Sequence, residues 1–174
     1  MAKKLIAFDL DDTLAVTKSP ISDKMGDLLV KLLEKYEVCI ISGGKYEQFK
    51  VQVIDRIEAN HLQLRKLHIM PTCGTRYYRY DEIEEEWQKQ YSEDLDDKAK
   101  KKIIEVLEQE AKVLGMWREK TWGDIIEDRG SQITYSALGQ QAPAEEKYKW
   151  AEQFANEKKI LRERVAEQLP ELEV

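Results

Sequence analysis

The feature that most constrains the fold of this chain is a short apolar segment that leads directly into a cluster of acids. Residues 3–8 form the apolar segment, and Asp9-Leu10-Asp11-Asp12-Thr13-Leu14 follows it without a gap. Alternate side chains of a β-strand share one face, so a strand that ends near Asp9 would direct Asp9 and Asp11 toward one point beyond the sheet. Two carboxylates at that spacing repel unless a cation lies between them, and oxygen ligands suit Mg²⁺. We therefore expect a site for phosphoryl transfer.

A simpler interpretation is a polar exit from the strand in which Asp12 or Thr13 caps a downstream turn. The segment nevertheless resembles the first motif of the haloacid dehalogenase (HAD) superfamily, Asp-x-Asp-x-Thr at the end of the first strand. The resemblance implies that Asp9 is the nucleophile that becomes an aspartyl phosphate and that Asp11 is the general acid and base. It also implies a Mg²⁺ cofactor held by the Asp9 carboxylate and the backbone carbonyl of Asp11.

The composition limits the partners that we expect for the chain. With 174 residues it can bury one ordinary core or two small ones, and its net charge of −6 argues against a nucleic-acid partner. An anionic substrate therefore needs a local basic cluster together with the metal. No segment reaches the roughly 20 apolar residues that cross a bilayer, and the amino terminus shows no signal-peptide pattern. We expect a cytoplasmic protein with no membrane partner.

The first half of the chain has the periodicity of a βαβ unit. Apolar residues from Met25 to Tyr36 recur at the spacing of an amphipathic helix, and Ser22 is placed to cap its amino terminus. Residues 38–41 are continuously apolar, which is typical of a strand buried on both faces. The crossover between the first two strands is predicted to be right-handed.

Ser42-Gly43-Gly44 follows this second strand and precedes a further apolar stripe. Glycines allow backbone amides to approach an anion at a helix amino terminus, and a serine hydroxyl can donate to it. The same triplet is also ordinary turn chemistry. Its position after the second strand matches the second HAD motif, and the resemblance implies that Ser42, with the amides around Gly43 and Gly44, binds the transferring phosphoryl group.

The remaining pattern predicts an α/β fold with an added α+β region. We expect a third strand containing a core histidine, His68, then an aromatic hairpin, a long charged helix, two short strands and a helical end. The third strand is predicted over residues 67–70 and the hairpin over residues 75–80 and 87–91. The long helix is predicted over residues 95–114, the two short strands over residues 124–128 and 132–138, and the helical end over residues 144–168. The predicted architecture is a HAD-type, Rossmann-like parallel sheet of about three core strands over residues 1–78 and an α+β (type IIB) cap domain over residues 79–174.

The second half resembles the cap of the eukaryotic-type phosphomannomutases, a HAD family. The resemblance is carried by Ile126-Glu127-Asp128-Arg129-Gly130 and by residues 133–139, with Lys18 matching from the first half. It implies a phosphorylated sugar as substrate, with Lys18 and Arg129 on its non-reacting phosphate, Ser136 also binding substrate, and a homodimer formed through the cap. The alternative for Arg129 is a turn residue that forms a surface ion pair.

The chain also departs from that family. Gln140 stands where the family has a phosphate-binding arginine, and Pro71-Thr72-Cys73-Gly74 stands where it has an asparagine before the glycine. A sugar-phosphate phosphatase is therefore an alternative to a mutase. No basic residue followed by a late acidic pair on a strand is found after Gln168, although the superfamily uses both at its site. We expect either a piece of a longer protein, or a second chain that supplies these parts, or a truncated relative without catalysis.

Overall fold

The computed structural model of this chain describes residues 4–174, which form two compact units that divide between Asp94 and Leu95. The first unit contains β1 (Leu5–Phe8), α1 (Asp23–Lys35), β2 (Glu37–Ile41), α2 (Tyr46–Gln52), α3 (His61–Leu64), β3 (Leu67–Met70), β4 (Arg76–Asp81) and β5 (Glu86–Ser92). The second contains α4 (Asp97–Val113), β6 (Ile126–Asp128), β7 (Ile133–Tyr135), α5 (Ala144–Gln153) and α6 (Ala155–Gln168).

The first unit is built on a five-stranded sheet in the order β1-β2-β3-β4-β5. The first three strands are parallel, with Phe8 opposite Ile40 and Ile41 opposite Met70. Strands β4 and β5 form an antiparallel hairpin that pairs with β3. The predicted α/β architecture is confirmed, and the carboxyl ends of β1, β2 and β3 lie along one edge of the sheet.

The hairpin continues the core sheet, although its aromatic residues lie where the sequence suggested a change of domain. Tyr78 pairs with Ile69 of β3, and its ring stacks on Tyr46 with centroids 4.1 Å apart. The boundary predicted after residue 78 thus falls inside β4, whereas the two compact units divide after Asp94.

Helix α1 and strand β3 follow the local signals that the sequence carries. The Ser22 hydroxyl accepts a hydrogen bond from the Met25 amide over 3.3 Å, so the predicted N-cap is confirmed. The buried face of the helix includes Leu29 and Leu33. His68 has both ring nitrogens in hydrogen-bond contact, with the Tyr77 hydroxyl at 2.6 Å and Glu37 at 3.1 Å, and it is therefore a satisfied core histidine.

The core of the first unit lies between the sheet and the helices that connect its strands. Phe49, in the middle of α2, and Val53, just beyond its end, are fully buried. They belong to the same apolar cluster as Ile40 and Ile69 of the two central parallel strands. Helix α2 has only seven residues, so this packing rather than its length holds it in place.

The second unit packs its helices over a short antiparallel hairpin, β6–β7. Tyr135 of β7 donates to the Met116 carbonyl over 2.6 Å, and burial raises the pKa of this tyrosine to about 12. The predicted helical end is two helices that meet at Phe154. The buried cluster consists of Ile103, Leu107, Ala111, Met116, Leu161, Val165 and Leu169.

Among residues 4–174, no helix is both long enough and apolar enough to cross a bilayer.

We predict that Phe49→Ala lowers the free energy of unfolding by about 3–5 kcal/mol, because it removes a fully buried ring and leaves a cavity. Val51→Ala on the same helix is the matched control, since Val51 is 55% exposed and a surface change costs within about 0.5 kcal/mol. Urea unfolding followed by circular dichroism measures both values. Equal losses in the two variants would contradict the assigned core.

A second prediction concerns alkaline pH. Burial, reinforced by the neighbouring Tyr78, raises the pKa of Tyr46 to about 12, whereas a tyrosine in an unfolded chain titrates near about 10. The folded state favours the neutral form of Tyr46. The contribution of Tyr46 to the free energy of unfolding is therefore complete below the pKa of the unfolded chain and is lost as the pH rises from about 10 to about 12.

The test is the slope of unfolding free energy against pH over that range in the unsubstituted protein and in Tyr46→Phe. We expect a shallower fall in the variant, because phenylalanine releases no proton on unfolding. Identical slopes would show that the Tyr46 hydroxyl does not contribute.

Candidate functional site

The loops that follow the parallel strands form one edge of the first unit. Asp9 comes directly after β1, and Ser42 comes directly after β2. The strand register places Phe8 opposite Ile40, so the two loops start within one residue of each other along the sheet. In open parallel sheets, ligands bind beyond this edge.

The acid-rich segment is a tight turn and does not continue β1, which ends at Phe8. The amides of Leu14 and Ala15 both donate to the Leu10 carbonyl, over 2.9 and 3.1 Å, and the Asp12 amide donates to the Ala15 carbonyl over 2.7 Å. Asp12 has a φ of 58°, in the left-handed region. The turn, and not alternation along a strand, therefore sets the relation between Asp9 and Asp11.

Asp9 and Asp11 have different surroundings. Asp9 is exposed, and its Oδ2 accepts one long contact of 3.4 Å from the Thr13 hydroxyl. Asp11 is half-buried, and its Oδ1 accepts from the backbone amide of Lys18 over 2.9 Å and from the side-chain amide of Gln52 over 3.3 Å. One carboxylate is thus accessible and the other is held in place.

Asp12 stabilises the loop that carries these acids. Its two carboxylate oxygens accept from the amide and the hydroxyl of Thr17, over 3.1 and 2.7 Å. Asp12 therefore has the capping role that the simpler interpretation gave it, next to Asp9 and Asp11 in the same loop.

The loop after β2 is tied to the loop after β3. The Ser42 carbonyl accepts from the Cys73 amide over 2.9 Å, and the Gly44 carbonyl accepts from the Thr72 amide over 3.0 Å. Ser42 is nearly buried, and the Lys45 amide is already engaged by Gln48 over 2.9 Å. The amide of the residue that caps α2 is thus already used within the helix start.

Gly44 stands where a side chain would not fit without rearrangement. A Cβ at this position would lie 2.9 Å from the Gln48 side-chain oxygen, which caps the helix start. The glycine thus allows the cap and the loop to lie against each other, and a larger residue would have to displace the cap.

Lys18 lies in the same loop as the acids, with a φ of 59° and its backbone amide on Asp11. The structure therefore brings Asp9, Asp11 and Lys18 together on one loop, and the pairing of β1 with β2 places Ser42, Gly43 and Gly44 on the adjacent one. Their roles in binding and catalysis stay predictions.

Arg129 and Ser136 belong to the second unit. The Arg129 guanidinium donates twice to Glu127 Oε2, from Nε over 2.9 Å and from a terminal nitrogen over 2.8 Å, and its side chain is 9% exposed. This is the ion pair of the alternative interpretation, but its arginine is nearly buried rather than on the surface. Ser136 donates to the Gly139 carbonyl over 3.1 Å and lines a cavity of about 370 Å³ within the second unit.

Sequence reasoning missed Gln52, the residue that joins α2 to Asp11. Its signal was available, because Gln52 is a polar residue on the apolar stripe that Phe49 and Val53 define. A buried amide on such a stripe must find hydrogen-bond partners, and that requirement would have singled it out.

The donor chemistry of this edge suits a hard cation. Within the part of the chain that the structure describes, no group of three or more His, Cys, Asp or Glu side chains is placed to hold a metal ion. Mg²⁺ needs fewer, because it commonly binds one or two carboxylates and keeps several waters. The exposed carboxylate of Asp9 has the donor chemistry that Mg²⁺ prefers and would supply part of its ligand shell.

Comparison with known proteins gives one sequence relative and several structural ones. The chain is 27% identical over 166 residues to a phosphomannomutase of Encephalitozoon cuniculi, a match that covers 90% of this chain and 57% of that protein. No protein-family model matches it. The chain thus spans little more than half the length of this curated relative.

Among solved structures, the ATP-bound IMP-nucleotidase of Plasmodium falciparum superposes with a TM-score of 0.61 at 14% identity, covering 97% of this chain and 41% of that one. A carboxyl-terminally truncated form of the same enzyme gives a TM-score of 0.58 at 13% identity, with coverages of 97% and 50%. These neighbours are HAD-like hydrolases. The chain therefore has the fold of the HAD-like hydrolases, as its opening motif implied.

Proposed function

We propose that this chain carries the nucleophile of a Mg²⁺-dependent phosphoryl-transfer enzyme that acts on a phosphorylated sugar through an aspartyl phosphate on Asp9. The observation that supports it best is the difference between the two acids. Among the described residues, Asp9 is exposed with a single long contact, whereas Asp11 is held by two donors on one oxygen. A nucleophile must reach the phosphorus atom, and a general acid must be oriented toward the leaving oxygen.

In the first half-reaction a carboxylate oxygen of Asp9 attacks the phosphorus atom, and the bond from phosphorus to the sugar oxygen breaks. Asp11 gives its proton to that departing oxygen, so the sugar leaves as a neutral hydroxyl. The Ser42 hydroxyl and the amides of Gly43 and Gly44 bind the oxygens of the transferring phosphoryl group.

In the second half-reaction a hydroxyl group attacks the phosphorus of the aspartyl phosphate, and the bond to Asp9 breaks. Asp11 takes the proton from the attacking hydroxyl and returns to its starting state. The Asp9 carboxylate and the backbone carbonyl of Asp11 would hold Mg²⁺, which when bound offsets the negative charge shared by phosphate and nucleophile. The attacking hydroxyl belongs to a sugar phosphate in a mutase and to water in a phosphatase.

The sugar substrate is supported by the likeness to a phosphomannomutase, which covers 90% of this chain. In this proposal Lys18 and Arg129 bind the phosphate that does not react, and Ser136 contacts the substrate. Arg129 already donates to Glu127, so phosphate would have to compete with that ion pair. Because of this competition, the second candidate is a phosphatase, which depends less on binding a second phosphate.

We predict that Asp9→Asn lowers phosphoryl transfer at least about 10³-fold, because an amide cannot attack phosphorus as a carboxylate does. Asp27→Asn, an exposed acid on α1, is the matched control and should retain full activity. Mass spectrometry of acid-quenched protein should find a phosphoryl group on the peptide that contains Asp9. Retained turnover in Asp9→Asn would exclude Asp9 as the nucleophile.

A further prediction separates the two candidate activities on one substrate. With Mg²⁺ and mannose 1-phosphate, a mutase produces mannose 6-phosphate at a rate that depends on a trace of sugar bisphosphate, and it releases little inorganic phosphate. We expect this pattern, measured by ³¹P NMR for the sugars and by colorimetry for phosphate. Steady phosphate release without isomerisation would support the phosphatase instead.

A further inference from the structure

We propose that Gln52 is a positioning residue that fixes the orientation of the Asp11 carboxylate, an inference that rests on the proposed role of Asp11 as general acid and base. Gln52 is the last residue of α2 and is only 4% exposed. It lies 41 residues from Asp11 in sequence, yet its side-chain amide reaches the Asp11 carboxylate within the first unit.

Both hydrogens of the Gln52 amide nitrogen are used. One is donated to the Ser19 carbonyl over 2.8 Å and the other to Asp11 Oδ1 over 3.3 Å. A side-chain amide has two donors on nitrogen and only acceptors on oxygen. The reversed amide would place its oxygen against a carbonyl and a carboxylate, so these contacts also fix which way the group faces.

The backbone around Gln52 is anchored on both sides. Its carbonyl accepts from the Ile21 amide over 2.9 Å, which links it to the loop that follows the acids. Phe49, one turn earlier, and Val53, the next residue, are fully buried. The amide is therefore carried by a segment that cannot shift without disturbing the core.

The two donors leave the Asp11 carboxylate with one fixed oxygen and one available oxygen. The amides of Lys18 and Gln52 both donate to Oδ1, and no residue in the described range 4–174 donates to Oδ2. A general acid works through one oxygen at a defined place, and a misplacement of about 1 Å can cost about 10²-fold in rate. Gln52 thus keeps Oδ2 in one position for the proton of the substrate.

The first test measures hydrogen exchange of the Lys18 amide by NMR in Gln52→Leu and in Gln52→Met. Both variants keep the approximate volume and remove the donors. We expect the Lys18 amide to exchange at least about 10-fold faster, because a freed carboxylate rotates away from it, while the Phe49 amide in the core keeps its rate. Gln109→Leu, at an exposed position of α4, is the matched control and should leave both rates unchanged.

The second test compares kcat/KM for a hexose phosphate with kcat/KM for 4-nitrophenyl phosphate. The nitrophenolate leaves without a proton, whereas the sugar alkoxide needs one from Asp11. We expect Gln52→Leu to lose about 10- to 100-fold on the hexose phosphate and less than about 3-fold on the aryl phosphate. A merely structural role would lower both values by the same factor.

Unchanged exchange at Lys18, or equal losses on the two substrates, would overturn the proposal. Failure of the proposed function has a different signature, which is turnover that survives Asp9→Asn or is absent in the unsubstituted chain. The exchange measurement needs no turnover, so it decides in every case whether Gln52 holds Asp11.

Discussion

The parallel pairing of β1 with β2 is the constraint on which the rest of the first unit depends. Phe8 lies opposite Ile40, and Val38 and Ile40 of the central strand are fully buried. A slip of one residue would turn each side chain to the other face of the sheet, so this burial strongly specifies the register. The same register sets where Asp9 and Ser42 leave the sheet. The packing of the core and the geometry of the candidate site therefore depend on the same strand pairing.

Elements with a local signal could be predicted from the sequence, whereas contacts between distant segments could not. Helix α1 has an apolar stripe and a serine cap, and both are present in the structure. The left-handed backbone at Asp12 was not predicted, because aspartate adopts a positive φ less readily than glycine does. The continuation of the sheet into β4 involves Tyr78 stacking on Tyr46, a contact across 32 positions that no local period reveals.

The second unit shows how a motif and its local surroundings can compete. Glu127 and Arg129 are two residues apart, a spacing that places both side chains on one face of an extended segment. The structure pairs them with little exposure of the arginine. Arg129 thus both resembles a phosphate-binding arginine and forms an ion pair with its neighbour. The sequence alone could not rank them, because the balance depends on how deeply the pair is buried.

The loop from Asp11 to Lys18 closes on itself through two neighbouring acids. Asp12 holds Thr17, and Asp11 holds the amide of Lys18, so each acid binds the far end of the loop that it begins. A displacement of the Lys18 backbone away from Asp11 must break one of the two bonds on Oδ1. Movement of the loop is therefore coupled to the contacts that hold the Asp11 carboxylate, and a ligand that pulled on this loop would also disturb the orientation of that acid.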